Sequence, residues 1–294
     1  MRNGKRATAA LALIALTLTG IGTQGSAGLV ERRIYPAPTL PLTADGTAAE
    51  LVEAVTADGL RLRGLWVAPG SGQPVVLLFH GNGSSARDAL AWLKPALPTG
   101  FGVMAAEYRG YSGNPGQPSE AGLVRDAVAF RELVATRAPG APVWLVGHSL
   151  GGGVAFAAAR QVPSAVLVTI GTFTRLRDAA PPMARFLVPD AYRNIDRLAG
   201  LARPYYLIHG TADDVVPAAI GERLHRAAVA ARASGAAFVI VGAGHAPPAT
   251  QLAAVFRTVD SRLRTGSFAA ALPAEIRLLP FDSTSPQGID NKSQ

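Results

Sequence analysis

A nucleophile, a base and a carboxylate can be picked out of this chain by residue type and surroundings alone. Gly147-His148-Ser149-Leu150-Gly151 fits the pattern G-x-S-x-G. Five letters are a weak signal, but an apolar run from Pro142 to Val146 precedes them and an Ala-rich stretch, Val154 to Arg160, follows. A sharp strand-to-helix turn is the setting that holds such a serine strained with its hydroxyl exposed, and flanking glycines let neighbouring backbone approach without a Cβ clash. A serine hydroxyl is a poor nucleophile near neutrality and needs a base within hydrogen-bond reach. Five histidines are available. His148 is held inside the turn; His80 and His209 close apolar runs just before a glycine and suit the bracing of loops. His225 lies in a helical stretch where solvation or packing accounts for it. His245 alone follows a late strand in a flexible setting, Val241-Gly-Ala-Gly-His245-Ala-Pro, from which a loop can return the ring over Ser149.

The base in turn needs a carboxylate to fix its tautomer and stabilise the imidazolium. His209-Gly-Thr-Ala-Asp213-Asp214-Val-Val-Pro217 offers two just after an apolar run, and Asp213 is preferred because Asp214 could cap the next turn or helix. The chain order Ser149, Asp213, His245 is the one used when a serine sits at the top of an α/β sheet. A developing oxyanion needs two donors. The backbone N–H of Leu150, at the start of the helix after the serine, is one; the backbone N–H of Asn82, in the loop His80-Gly81-Asn82-Gly83, is the other. The Asn82 side chain is assigned to shaping that loop. Together these groups would attack an ester or related acyl carbon, form an acyl-enzyme and release it to water.

Such residues must be positioned by a framework, and the chain reads as one. Leu51–Thr56 and Leu60–Val67 alternate with a period of two around Asp58-Gly59, a hairpin turn. Continuous apolar runs follow at 75–79, 103–106, 143–146, 165–170, 205–208 and 238–241, the pattern of strands buried on both faces. Between them, Ser85 can cap a helix with Ala86, Ala89, Leu90 and Leu93 on one face. Ser119 can cap another bearing Leu123, Ala127, Phe130 and Leu133, and a last helix carries Leu252, Val255, Phe256, Val259 and Leu263. The expected fold class is α/β: a mostly parallel mixed sheet of about eight strands with helices on both faces. The connection 171–203 is longer than a crossover needs and is read either as a small cap over the substrate pocket or as a crossover helix with extra loops.

At Phe79-His-Gly-Asn-Gly83, Tyr108-Arg-Gly-Tyr111, Pro118-Ser119-Glu120, the serine motif, His209-Gly-Thr-Ala-Asp213 and Gly244-His245, the chain resembles the α/β-hydrolase superfamily. It looks most like the serine-aminopeptidase-like branch, which includes ester and lipid-thioester hydrolases. The resemblance covers about Leu51 to Arg264 with the motifs in order. It implies the α/β-hydrolase fold and a metal-independent serine hydrolase with no cofactor, acting on a small-molecule or lipid acyl substrate. The chain departs from that branch at Glu107, where Asp is usual, at Ser112–Gly116, and at Gly153, which lengthens the glycine run. Arg109 and Tyr111 are read as loop packing.

Composition bounds the rest. The 294 residues carry a formal charge of +8, scattered and without an aromatic-basic stripe, so no nucleic-acid partner is expected. With no cysteine there are no disulfides, no thiol catalysis and no Cys-ligated metal. Arg2, Lys5 and Arg6 precede an uncharged apolar run, Ala7–Ile21, and Gly25-Ser26-Ala27 suits a signal peptidase. Residues 1–27 are thus expected to be a signal peptide, directing the protein to the periplasm or medium, with an uncleaved membrane anchor as the alternative. Residues 28–48 are expected as a linker, 49–265 as the catalytic domain, and 266–294 as a surface tail. Two other readings fit the chain less well. Gly81-Asn-Gly83-Ser-Ser-Ala86 imitates a dinucleotide fingerprint, with Glu107 ending the next strand, but His80 before it and the hairpin upstream do not belong to that motif. A non-catalytic binding module on the same fold would ordinarily have lost part of the triad.

Overall fold

The computed structural model describes residues 34–180, 182–188, 191–268 and 272–282. The export segment expected at 1–27 lies outside them. The hairpin forms as the turn chemistry requires: β1 (Glu50–Val55) and β2 (Arg61–Val67) are antiparallel, and Thr56 N donates to Leu60 O at 2.9 Å across a turn with Gly59 at φ 83°. From there strand and helix alternate: β3 (Val75–Phe79), α1 (Ala86–Leu93), β4 (Gly102–Ala106), α2 (Glu120–Arg137), β5 (Val143–His148) and α3 (Leu150–Ala158). After β6 (Val166–Ile170) come β7 (Tyr205–Gly210), α4 (Ala218–Ala230), β8 (Gly235–Ile240), α5 (Ala249–Thr265) and β9 (Ile276–Pro280). Ser85 and Ser119 cap α1 and α2, each accepting from a backbone N–H three residues on, a contribution of about 1 kcal/mol apiece.

The strands form a single sheet in the order β1-β2-β4-β3-β5-β6-β7-β8-β9, antiparallel at β1/β2, β2/β4 and β8/β9 and parallel elsewhere. Side chains of β3 show why its sequence is continuously apolar. Val75, Leu77 and Phe79 enter one hydrophobic cluster with Leu123 of α2, Val154 of α3 and Leu224 of α4. Val76 and Leu78 enter the other with Leu90 of α1 and Leu252 and Phe256 of α5. From β3 the chain steps to β4 on one side, then crosses back to β5 on the other. A crevice opens where connections diverge in this way, at the carboxyl ends of the strands. Here that switch point lies beyond Phe79 and His148, where the two loops singled out in the sequence begin.

Three segments differ in detail from what their composition suggested. Part of the tail is a ninth strand: Ile276–Pro280 pairs with Ala236–Ile240 and covers what would otherwise be an open edge at β8. Pro280 is tolerated because it ends an edge strand. Residues 34–48 have the irregular backbone of a linker but are seated on the domain, with Ile34, Tyr35 and Leu42 buried. The connection from β6 to β7 holds no α-helix among its described residues. It is built of 3-10 turns at Leu176–Ala179, Pro182–Leu187 and Asn194–Arg197. Its ends are tied down, Asn194 Nδ2 donating to Phe173 O at 2.9 Å and the buried Tyr192 hydroxyl meeting Tyr35 Oη at 3.0 Å. Met183 and Phe186, between them, are 81% and 82% exposed.

The docking of the tail is testable at Phe281, which follows β9, is 2% exposed and stacks on Tyr205 with ring centroids 5.6 Å apart. Phe281→Ala should destabilise the protein by about 3 kcal/mol in urea unfolding. An unchanged midpoint would show that residues 276–281 carry no packing energy.

Candidate active site

Ser149 stands between β5 and α3 at φ 52° and ψ −116°, a backbone conformation that a residue with a Cβ avoids. The turn is held from three sides. Ser149 N donates to Ile170 O at 2.9 Å, Thr172 Oγ1 donates to Ser149 O at 2.7 Å, and Gly152 N donates to the same oxygen at 3.0 Å. The motif's glycines are required by proximity: a Cβ on Gly147 would collide with the Gly151 carbonyl, and one on Gly151 with the Phe79 carbonyl.

Asp213 and His245 are joined. His245 Nδ1 lies 2.9 Å from Asp213 Oδ2 and 3.0 Å from Oδ1, and the carboxylate also accepts from the backbone N–H groups of Val215 and Val216 at 3.0 and 2.8 Å. Burial alone would raise the Asp213 pKa, but the hydrogen bond and charge of His245 and the Val216 N–H outweigh it, so the carboxyl is held below its ordinary value and stays ionised. Asp214, the other candidate, is exposed. His209 braces this loop, its Nε2 meeting Val216 O at 2.9 Å.

His245 and Ser149 share neighbours. Ile170 and Thr172 bond the Ser149 backbone, and a Cβ on Gly171 between them would come within 3.0 Å of His245 Nδ1. The ring of His148, adjacent to Ser149, is centred 4.7 Å from that of His245. Ser149 Oγ itself makes no hydrogen bond among the described residues, so the carboxylate–imidazole half of the constellation is closed and the imidazole–hydroxyl half is not. Catalytic hydrogen bonds that are long without substrate commonly tighten in its presence.

The two proposed oxyanion donors are unengaged: among the described residues, neither Leu150 N nor Asn82 N donates to a protein acceptor. Leu150 opens α3, where the helix dipole adds to the attraction for negative charge. The Asn82 side chain is turned away to other work, its Oδ1 accepting from Tyr111 Oη at 3.2 Å.

Sequence reasoning missed how heavily Glu107 is used. Its fully buried carboxylate meets His80 Nε2 at 2.7 Å and accepts from Ala86 N at 3.0 Å, Ser112 Oγ at 2.9 Å and its neighbour Tyr108 N at 3.1 Å. Burial opposes ionisation, but the His80 charge and these hydrogen bonds prevail and lower its pKa. The resemblance to a dinucleotide fingerprint fails here on electrostatics, because Glu107 already supplies a negative charge at the N-terminus of α1, where a pyrophosphate would have to sit. Arg109 and Tyr111 are indeed packing residues: Tyr111 is buried, and Arg109 spans from buried Asp126 to Asp58 at 2.7–3.1 Å. Among the described residues no cluster of His, Cys, Asp and Glu could hold a metal ion.

Comparison with known proteins agrees with this architecture. Residues 70–200 match the family described as serine aminopeptidase, S33. An uncharacterised protein of Mycobacterium tuberculosis is 37% identical over 260 residues, which is 83% of this chain and 89% of that protein. The lysophosphatidylserine lipase ABHD12 of Xenopus tropicalis is 30% identical over 54% of this chain, and this chain spans about half of that longer protein, 48%. Among solved structures, the esterase Pf2001 of Pyrococcus furiosus superposes with a TM-score of 0.60, covering 80% of this chain and 100% of that one. At 17% identity, that likeness is one of fold.

Glu107→Gln should set a buried amide NH2 against one of the donors that the carboxylate accepts from and cost about 3 kcal/mol near neutrality. Because the native carboxyl is depressed, its contribution is complete above its ordinary pKa and is lost as pH falls from there through the folded-state value. Urea titrations of wild type and variant should therefore converge in acid. A gap independent of pH would mean that the ionised carboxylate is not what stabilises these loops.

Proposed function

The chain belongs to the α/β-hydrolase superfamily, in its serine-aminopeptidase-like branch, and on that premise we propose that it is an acyl hydrolase working through Ser149, His245 and Asp213. The observation that carries this reading is the 2.9 Å Asp213–His245 bond beside a serine held at positive φ. The serine-hydrolase class is the family's; the assignment of roles to these residues is ours.

His245 Nε2 takes the Ser149 proton as Oγ attacks the acyl carbon. Asp213 holds Nδ1–H and stabilises the imidazolium, while the Leu150 and Asn82 N–H groups receive the charge that builds on the carbonyl oxygen. The leaving group departs with the proton from His245, giving an acyl-enzyme. Water, deprotonated by the same ring, then releases the acid and restores the serine. Losing one oxyanion donor in such sites costs about 3 kcal/mol of barrier, which gives the buried Glu107–His80 anchor of the Asn82 loop its importance.

The substrate class is an acyl ester. Short-acyl esters come first, then lipid esters or thioesters, and peptide amides last. A lipid ester draws support from the name of the ABHD12 relative and from the exposed Met183 and Phe186 on the β6–β7 connection. Export belongs to the same proposal and rests on Arg2, Lys5, Arg6 and the apolar run Ala7–Ile21.

Ser149→Ala should keep the unfolding transition of wild type and lose nearly all hydrolysis of an activated short-chain aryl ester, together with labelling by a fluorophosphonate. Asp213→Asn should lower kcat by about 10⁴-fold through the wrong imidazole tautomer. Retained hydrolysis in Ser149→Ala would reject the nucleophile, and failure of the wild type to label would favour a binding module. A panel of acyl lengths, lysophospholipids and aminoacyl amides ranks the substrates. N-terminal sequencing of the exported protein should begin just after Ala27; a product still carrying Met1 and bound to membrane would support the anchor instead.

A further inference from the structure

The segment that carries His245 is tied by backbone bonds before and after it, Ala243 N donating to Ile240 O at 3.3 Å and Ala243 O accepting from Ala212 N at 2.9 Å, but residues 244–247 make none. It runs from Val241 to Pro248 between β8 and α5 and contains Gly242, Gly244, Pro247 and Pro248. Among the described residues the N–H groups of Gly244, His245 and Ala246 find no acceptor, and the two prolines have none to offer. Two of its carbonyls, however, are taken by ring N–H groups from elsewhere. His148 Nε2 meets His245 O at 3.0 Å, and Trp92 Nε1 of α1 donates to Pro247 O at 3.0 Å. A carbonyl can only accept, so both bonds run from ring to loop. The donors are neighbours: the centroids of Trp92 and His148 are 4.9 Å apart, and those of His148 and His245 are 4.7 Å apart.

We propose that His148 and Trp92 are positioning residues for the reaction, clasping the backbone of residues 245–247 so that the His245 ring is held at the depth where it can meet the Ser149 hydroxyl. This rests on the reading of His245 as the base. Asp213 fixes the ring at Nδ1 but does not touch the backbone of residues 244–247, which the clasp holds instead. His148 does so as a neutral ring: burial, and then the nearby His245, push its pKa down to about 3, so its single N–H is the one on Nε2. A neutral bracket also avoids setting a second positive charge against the imidazolium that forms at His245 during turnover. The motif residue before the serine, idle in the chemistry itself, thereby links the nucleophile's turn to the base's loop.

Four variants test this on an activated short-chain aryl ester. His148→Phe keeps a ring and loses the donor. It should lower kcat by about 10–100-fold, the scale of a misplacement near 1 Å, with KM within about twofold. His148→Gln, which can return an N–H to the same region, should recover most of that loss. Trp92→Phe, a milder change on α1, should lower kcat several-fold. The double variant His148→Phe/Trp92→Phe should lose less than the product of the two singles, because both donors restrain one segment. Activity of His148→Phe within about twofold of wild type, or failure of His148→Gln to exceed it, would overturn the proposal and leave His148 as packing. His245→Ala separates the two layers. If it is inactive while His148→Phe is fully active, only the clasp is wrong; if it retains activity, the base has been misassigned.

Discussion

Ser149 occupies a backbone angle that costs about 1–3 kcal/mol for a residue with a Cβ, and it stays there because each way out is closed. Its N–H is bound to the end of β6, its carbonyl to Thr172 just past that strand, and its flanking glycines lie against backbone on both sides. The constraint radiates outward. Gly151 is pressed against the end of β3, so the loop carrying Asn82 begins where the serine turn finishes. Thr172 belongs to the start of the β6–β7 connection, so that connection must leave the sheet beside the serine. The sheet order, reversing between β3 and β5, is what brings these ends into one crevice.

Charge in this site is arranged by burial and then partnered. Asp213 and Glu107 are both buried carboxylates whose ionised forms are preserved only because histidine and backbone N–H groups point at them. Each serves a different loop. Asp213 orders the His245 ring, whereas Glu107 ties together His80, the first residue of α1 and Ser112, and so fixes the loop that carries Asn82. His148, part-buried beside His245, meets a backbone carbonyl rather than a carboxylate and remains neutral. The difference between the two kinds of histidine is thus written in what faces each ring.

Much of this could be read from the chain because strong local signals coincided with the global fold. Ser85 and Ser119 cap the helices they precede, the apolar runs are strands, and Asp213 rather than Asp214 faces His245. What escaped reading was of three physical kinds. Ile276–Pro280 is short and set between Pro273 and its own Pro280, and it becomes a strand by pairing with the open edge of β8. Tyr35 lies among prolines that suggest a linker, yet its ring is buried by contacts more than 150 residues away in sequence, such as that with Tyr192. The hydrogen bonds of Trp92 and His148 join residues 155 and 97 positions apart to carbonyls, which leave no trace in residue type. Side-chain bonds to distant backbone are invisible to pattern, however clear the pattern.

The β6–β7 connection is stitched at both ends and presents two large apolar side chains between them. Thr172 is bonded to the serine turn, Tyr192 to Tyr35, and Asn194 to Phe173 across the two ends, while Met183 and Phe186 on the 3-10 turn between them stand in solvent. At 81% and 82% exposed, Met183 and Phe186 can change without disturbing a sheet contact. A scaffold built this way separates inheritance from novelty: the anchored stitches hold the serine turn in place, and the two exposed side chains form a surface that can vary without moving it.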